Sequence, residues 1–166
     1  MLTLRPTGAD DLGRVVAIEA AADTAQWLGE TGWAWHERAR ADPDQDHVVV
    51  ELDGVVVGFG VMAGLRTADR VIELRRMVVH PEFRGCGLGR SLLRSMRRRA
   101  HALHGASRVW LDFKPDNRRA RKLYESEGFA PTAAAEETAS ELIVMVHAGA
   151  TRADQRATGD RSTRHE

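Results

Sequence analysis

The sequence predicts an α/β domain of the α+β kind, a mixed sheet flanked by helices, over residues 1–147. Three observations predict it. Between residues 47 and 79 the apolar residues follow the period of strands, and two β-branched runs meet at Asp53-Gly54, a two-residue hairpin signal. From residue 87 the period turns helical and then alternates helix, strand, helix, strand, as β-α-β crossovers do. Beyond Ala148 the composition changes, and residues 151–166 contain no large apolar side chain. Residues 148–166 are therefore expected to form a polar, disordered tail.

The elements follow in order. Residues 2–6 read as a short strand ended by Pro6. Asp10 or Asp11 caps a helix whose stripe is Leu12, Val15, Val16, Ile18 and Glu19. A second, less regular helical stretch spans residues 23–41, carries Trp27, Trp33 and Trp35, and is interrupted at Gly29 and Gly32. Residues 41–46 form a turn. Strands are expected at 47–52, 55–62 and 70–79, the last ended by His80-Pro81. The helix at 87–103 carries the stripe Leu88, Leu92, Met96, Ala100 and Leu103, with Arg90, Arg94, Arg97, Arg98 and His101 opposite. A strand at 108–113, a helix at 117–127 stopped by Gly128 and a strand at 141–147 complete the series.

The bulk properties exclude several classes. A chain of 166 residues closes one core without staples. Its formal net charge is zero, so no long-range field favours nucleic acid or an anionic membrane. Arg97-Arg98-Arg99 reads as a solvated helix face. The single cysteine, Cys86, excludes an internal disulfide and fits a reducing cytosol. With no signal-peptide pattern and no apolar run long enough to span a bilayer, a cytoplasmic protein with no membrane partner is expected. The seven histidines show no metal-ligand spacing, so no metal is expected.

Chemistry concentrates in Arg84-Gly85-Cys86-Gly87-Leu88-Gly89-Arg90, at a strand-to-helix junction. Alternate glycines let the backbone approach a ligand, and the helix start offers unpaired amides and a positive dipole end. Such a loop suits phosphate or pyrophosphate. It is not a P-loop, because no Gly-Lys-Ser/Thr follows. It also fails the dinucleotide fingerprint, because Arg90 or Leu92 stands where the last glycine belongs.

Arg84-x-x-Gly87-x-Gly89 resembles the acyl-CoA pyrophosphate loop of the GNAT superfamily. The preceding run, Glu73-Leu-Arg-Arg-Met-Val-Val-His-Pro-Glu-Phe-Arg-Gly, is similar to that family's fourth strand. Residues 111–129, with Asn117, Tyr124 and Gly128-Phe129, resemble its fifth strand and following helix. The resemblance is specific over residues 71–129. It implies a central, mostly antiparallel twisted sheet with splayed middle strands, acetyl-CoA as co-substrate and a primary amine as acceptor.

Residue by residue, it implies that the backbone of Met77, Val78 and Val79 pairs with the pantetheine arm. The amides of Arg84, Gly85, Cys86, Gly87, Leu88, Gly89 and Arg90 would hold the pyrophosphate. Asn117 would contact the arm or a bound water. Tyr124 would be the general acid and Glu73 a carboxylate base. Beside these stand plainer readings: Tyr124 as a packing ring, Glu73 as the ion-pair partner of Arg75, and Cys86 as a small filler. The tryptophans at 27–35 wall an acceptor pocket or simply pack the helices on the sheet. Many members of the family are homodimers, which the resemblance leaves open. A non-catalytic acyl-CoA-binding module with the same fold is the alternative function.

Overall fold

Strand β1 (Leu2–Pro6) pairs with β2 (Gln45–Leu52), and β2 divides the protein into two cores. Val48 and Val50 of β2 lie in one buried cluster and Val49 in the other, as the two-residue period of a strand requires. The structure is a computed structural model that describes residues 1–21, 25–132 and 142–147. The expected tail at 148–166 and the first residue, 141, of the expected last strand lie outside the described residues.

Among the described residues seven strands form one sheet. Its order is β1, β2, β3 (Val55–Ala63), β4 (Val71–Val79), β5 (Arg108–Phe113), β7 (Ile143–His147) and β6 (Phe129–Pro131). Every neighbouring pair is antiparallel except β4 and β5. That parallel contact joins only Val71, Ile72 and Glu73 to Arg108, Val109 and Trp110. Both strands continue, to Val79 and Phe113, but unpaired with one another. The mostly antiparallel sheet with splayed middle strands is thus observed, and the splay leaves a wedge between two strand edges.

Helices α1 (Leu12–Glu19) and α2 (Trp33–Ala41) cover one face, where Val15, Ile18 and Trp35 pack with Val49, Phe59, Val61 and Val78. Helix α3 (Leu88–His104) and α4 (Arg118–Ser126) cover the other. Leu88, Leu92, Leu93, Met96 and Ala100 of α3 are buried there. Leu103, included in the expected stripe, is instead 59% exposed, because the step of four from Ala100 turns His104 to the sheet, where its Nε2 meets Asp46 at 2.7 Å.

Other expectations need correction. The helix expected at 23–41 is only α2 and a 3₁₀ turn at Ala25–Trp27, because Gly32 adopts φ 103° and breaks the helical path. Arg70, at φ 56°, stands outside β4. Strand β6 is three residues long and owes its existence to β7, so no local period announces it. The arginine face of α3 is largely paired: Arg94 bridges to Glu127 at 2.8 Å and Arg99 to Asp46 at 2.7 Å, while Arg90 pairs with Glu127 and Arg97 with His147.

A one-residue bulge re-aims β4. Val61 faces Arg76 and Met62 faces Leu74, which leaves Arg75 without an opposite residue on β3. Before the bulge Ile72 and Leu74 point into the α3 core. After it Arg76 and Val78 point to the α1–α2 face, while Met77 and Val79 pack against the α3 core. Gly58 permits this pairing, since a Cβ there would lie 2.5 Å from the Val78 carbonyl oxygen.

The α1–α2 face encloses a polar chain that the scattered histidines did not announce. Glu19, His36, His47, Thr7 and Arg76 are all buried. Glu19 accepts from Arg76 Nη1 (2.8 Å), from the Gly32 amide (2.9 Å) and from His36 Nε2 (2.8 Å). His36 Nδ1 meets His47 Nε2 at 2.8 Å, and His47 Nδ1 meets Thr7 Oγ1 at 2.7 Å. With an ionised Glu19, every bond is satisfied by neutral imidazoles: Thr7 donates to His47, His47 to His36, His36 to Glu19. Burial, and then the neighbouring His36, lower the His47 pKa from its ordinary 6.5 to about 4.

An acid sensitivity follows. Between pH 6.5 and about 4 the unfolded chain protonates this imidazole and the folded chain does not. Stability is therefore full above pH 6.5 and falls as pH drops, by about 3 kcal/mol in total from this group. The expected result is a melting temperature that declines steeply through this window. A His47→Gln variant should show a flatter profile over the same range.

Candidate active site

The loop between β4 and α3 is built by backbone conformation. A 3₁₀ turn at Pro81–Phe83, capped by the His80 side chain, leads out of the strand. Gly85 and Gly87 then take φ 84° and 80°, left-handed values that β-carbons resist. Gly87 is the N-cap of α3, and the first amide bonded back to it is that of Ser91, at 3.1 Å. The amides of Leu88, Gly89 and Arg90 thus precede the helical ladder and project from its N-terminus. A Cβ built on Gly85, Gly87 or Gly89 meets no atom within 4 Å, so open space lies over the loop. Open space, unladdered amides and a helix dipole fit a diphosphate.

The side chains in this loop are otherwise engaged. Arg90 turns away to Ser126 (2.8 Å) and Glu127, so only its amide faces the loop. The Nε of Arg84 donates to the Val79 carbonyl at 3.3 Å. Cys86 is exposed and its thiol contacts the Phe83 carbonyl at 2.9 Å. Gly87→Val should therefore weaken acetyl-CoA binding by at least about tenfold, or about 1.4 kcal/mol. Left-handed strain alone contributes about 1–2 kcal/mol. Isothermal titration calorimetry measures the loss, and an unchanged circular dichroism spectrum would show that the fold survives.

The wedge between β4 and β5 opens beside this loop. His80 donates to Val57 of β3 at 2.8 Å, so by strand alternation the peptide groups of Met77 and Val79 face the wedge and those of Val78 face β3. Of Met77, Val78 and Val79, two thus present their backbone to the wedge and Val78 does not. Asn117 caps α4, its Oδ1 accepting from the Ala120 amide at 3.2 Å.

Tyr124 stands on α4, half-buried, its ring 5.4 Å from Phe113 and 6.1 Å from Phe129. The ring thus packs as the plainer reading expects. Burial, and then the charge of Asp112, push its phenol up to about 12. Glu73 carries the ion pair foreseen with Arg75, at 2.9 and 3.1 Å. Asp112 was missed. Val109, Leu111 and Phe113 face the α3 core, so alternation places Asp112 on the α1–α2 face with Glu73. Burial, and then the Glu73 charge, hold its carboxyl above the usual carboxylate range. The signal was available: one acid interrupting an alternating apolar strand. The charge of Glu73 acts on Asp112 and that of Asp112 on Tyr124, although the two carboxylates stand on the α1–α2 face and the tyrosine ring packs with the α3 core. Among the described residues no group of three or more His, Cys, Asp or Glu is arranged to hold a metal ion.

A sequence model described as the acetyltransferase (GNAT) family matches residues 12–129. The chain belongs to this family. An uncharacterized N-acetyltransferase of Mycobacterium tuberculosis is 33% identical over 88 residues, 53% of this chain and 54% of that protein. The chain thus spans about half the length of that curated relative. A putative [ribosomal protein bS18]-alanine N-acetyltransferase of Bacillus subtilis is 28% identical, covering 74% of this chain and 76% of that one. Among solved structures, spermidine N-acetyltransferase of Vibrio cholerae, in complex with CoA and spermine, superposes with a TM-score of 0.72 at 19% identity. It covers 87% of this chain and 92% of that one, which establishes the GNAT fold here. No helix among the described residues is long and apolar enough to cross a membrane.

Proposed function

We propose that this protein is an N-acetyltransferase that moves an acetyl group from acetyl-CoA to a primary amine by direct attack. The observation that carries this reading is the β4–β5 wedge, with the glycine loop of α3 following β4 and Asp112 on β5 acting electrostatically on Tyr124. Acetyl-CoA supplies an acyl group activated as a thioester. The amides of residues 84–90 bind its diphosphate, the exposed edge of Met77 and Val79 pairs with its amide-bearing arm, and Asn117, which caps α4, contacts the arm or a bound water.

Two proton transfers fall to the protein. Asp112, whose carboxyl is held above the usual carboxylate range by burial and then by the Glu73 charge, takes the proton that the acceptor ammonium loses. Glu73 is tied to Arg75 and raises the basicity of Asp112 by its charge, so the base role expected for Glu73 passes to its neighbour. The Tyr124 phenol donates to the departing sulfur and is reprotonated by the second proton, which the newly acylated nitrogen releases. A C–N bond forms as the C–S bond breaks, and a backbone amide of β4 steadies the negative charge on the carbonyl oxygen. The relatives' acceptors, a protein N-terminus and a polyamine, are both primary amines. The lone exposed thiol of Cys86 suits a reducing compartment, and we assign the cytoplasm.

The test follows free thiol release from acetyl-CoA with a panel of polyamines, amino acids, lysine peptides and peptides with free N-termini. Release that depends on one amine class supports the reading and identifies the acceptor. Tight acetyl-CoA binding with no release from any amine would favour the binding-module alternative.

A further inference from the structure

A segment of chain crosses the wedge. Residues 25–32 precede α2, with Leu28 on the α1–α2 face. Lys114, the first residue after β5, donates from Nζ to the Gln26 carbonyl at 3.0 Å. Arg76, three residues beyond the last β4 residue paired with β5, donates from Nη2 to the Glu30 carbonyl at 2.9 Å. Leu28, between them, packs into the α1–α2 core. The segment therefore bridges β4 and β5 after the two strands have separated.

The β4 end of this strap is held by charge. The Arg76 guanidinium lies 3.7 Å from the Trp35 ring centroid, bonds Glu19 through one nitrogen and reaches the strap through the other. Glu19 takes hold of the same strap at the Gly32 amide. Behind Glu19, His36, His47 and Thr7 set its orientation through a continuous chain of bonds back to β2 and the end of β1. A buried ion pair is a poor device for stability alone, because apolar residues of similar volume serve as well or better. Apolar residues, however, cannot bond the Glu30 carbonyl and the Gly32 amide. The bulge at Arg75 is what turns Arg76 toward this face.

We propose that Arg76 is a positioning residue for the acceptor: clamped by Glu19 and Trp35, it holds residues 25–32 across the β4–β5 opening and so sets which amine is used. The inference rests on reading that opening as the place of transfer. The chemistry of the two ends favours a fixed wall over a mobile one, since each strap foot is tied by its backbone, independent of its own side chains.

The experiment compares wild type with Arg76→Lys, which keeps the charge but loses the two-armed fork. A second variant, the charge-neutral Glu19→Gln/Arg76→Met pair, carries the same test where Arg76→Lys does not fold. Amide hydrogen exchange is read at residues 25–32 and in the β2–β3 hairpin. Calorimetry reads acetyl-CoA binding, and kcat and KM are measured for two probe amines, spermidine and a peptide with an N-terminal alanine. The expected result is strap exchange about tenfold faster with the hairpin unchanged, and a ratio of the two amines' kcat/KM shifted by about tenfold through KM. Acetyl-CoA affinity should stay within about twofold of wild type. A strap as protected as in wild type overturns the inference, with or without a known acceptor. So does an equal loss for both amines carried by kcat alone. Absence of transfer in wild type would instead sink the proposed function, and strap exchange would still judge the clamp.

Discussion

Tyr124→Phe should lower kcat by about a hundredfold or more while leaving acetyl-CoA affinity unchanged. The substitution keeps the ring that packs on Phe113 and Phe129 and removes only the hydroxyl. Because burial and Asp112 push the phenol up to about 12, it stays protonated throughout any ordinary assay, so its sole service is as a donor. An acid limb in the kcat/KM profile should come from the base. Asp112 must be ionised to accept a proton, so the rate should fall as pH drops through its raised pKa. Asp112→Asn should remove that limb and lower the plateau, whereas Glu73→Gln should move the limb to lower pH by withdrawing the charge that raises it. Stopped-flow thiol release across pH, with saturating acetyl-CoA, measures all three. Equal turnover in Tyr124→Phe and wild type would remove the phenol from the chemistry.

Arg76→Ala should cost about 3–5 kcal/mol of stability, because it strands Glu19 as a buried, uncompensated carboxylate. The His36 and Gly32 bonds to Glu19 remain in the variant, so the loss should fall toward the lower end of that range. Glu19→Gln/Arg76→Met should lose much less, since neither partner is left charged. Urea unfolding distinguishes these outcomes. If the single and double variants are equally destabilised, ion pairing contributes nothing there and the site matters only for its packing. Hydrogen bonds also hold Glu19 ionised: against desolvation, which raises its pKa, bonds from His36 and Gly32 and the charge of Arg76 keep it below the usual range.

Some of this site was legible in the chain. The glycine loop lies within seven consecutive residues, so its φ values and the helix that follows are local consequences of composition. The hairpin at Asp53-Gly54 is equally local, both residues taking positive φ as the turn requires. Tyr124 and Asn117 were reached by resemblance. Asp112 was passed over because its neighbours, Leu111 and Phe113, were read only as strand formers. Glu19 was placed on the apolar stripe of its helix without asking what cation a carboxylate there must meet. His36 and His47 are eleven residues apart on different elements, and nothing in their spacing shows that two imidazoles meet end to end.

By itself the sequence determined the family, the order of most elements, the anion-binding loop and the two apolar stripes that face the sheet. Each depends on residues close together in the chain, where steric preference and hydrophobic period act directly. Only the tertiary structure decided the rest. The bulge at Arg75 is a matter of register between two strands and leaves no mark in either alone. The wedge exists because β4 and β5 stop pairing after Glu73, although both sequences continue as strands. The Glu19–Arg76 clamp joins residues 57 apart, and Tyr124 feels the charge of Asp112 because α4 packs back against the strand that precedes it. Such contacts are set by how the two cores close on the sheet, a long-range balance of burial against paired polar groups that no local pattern reports.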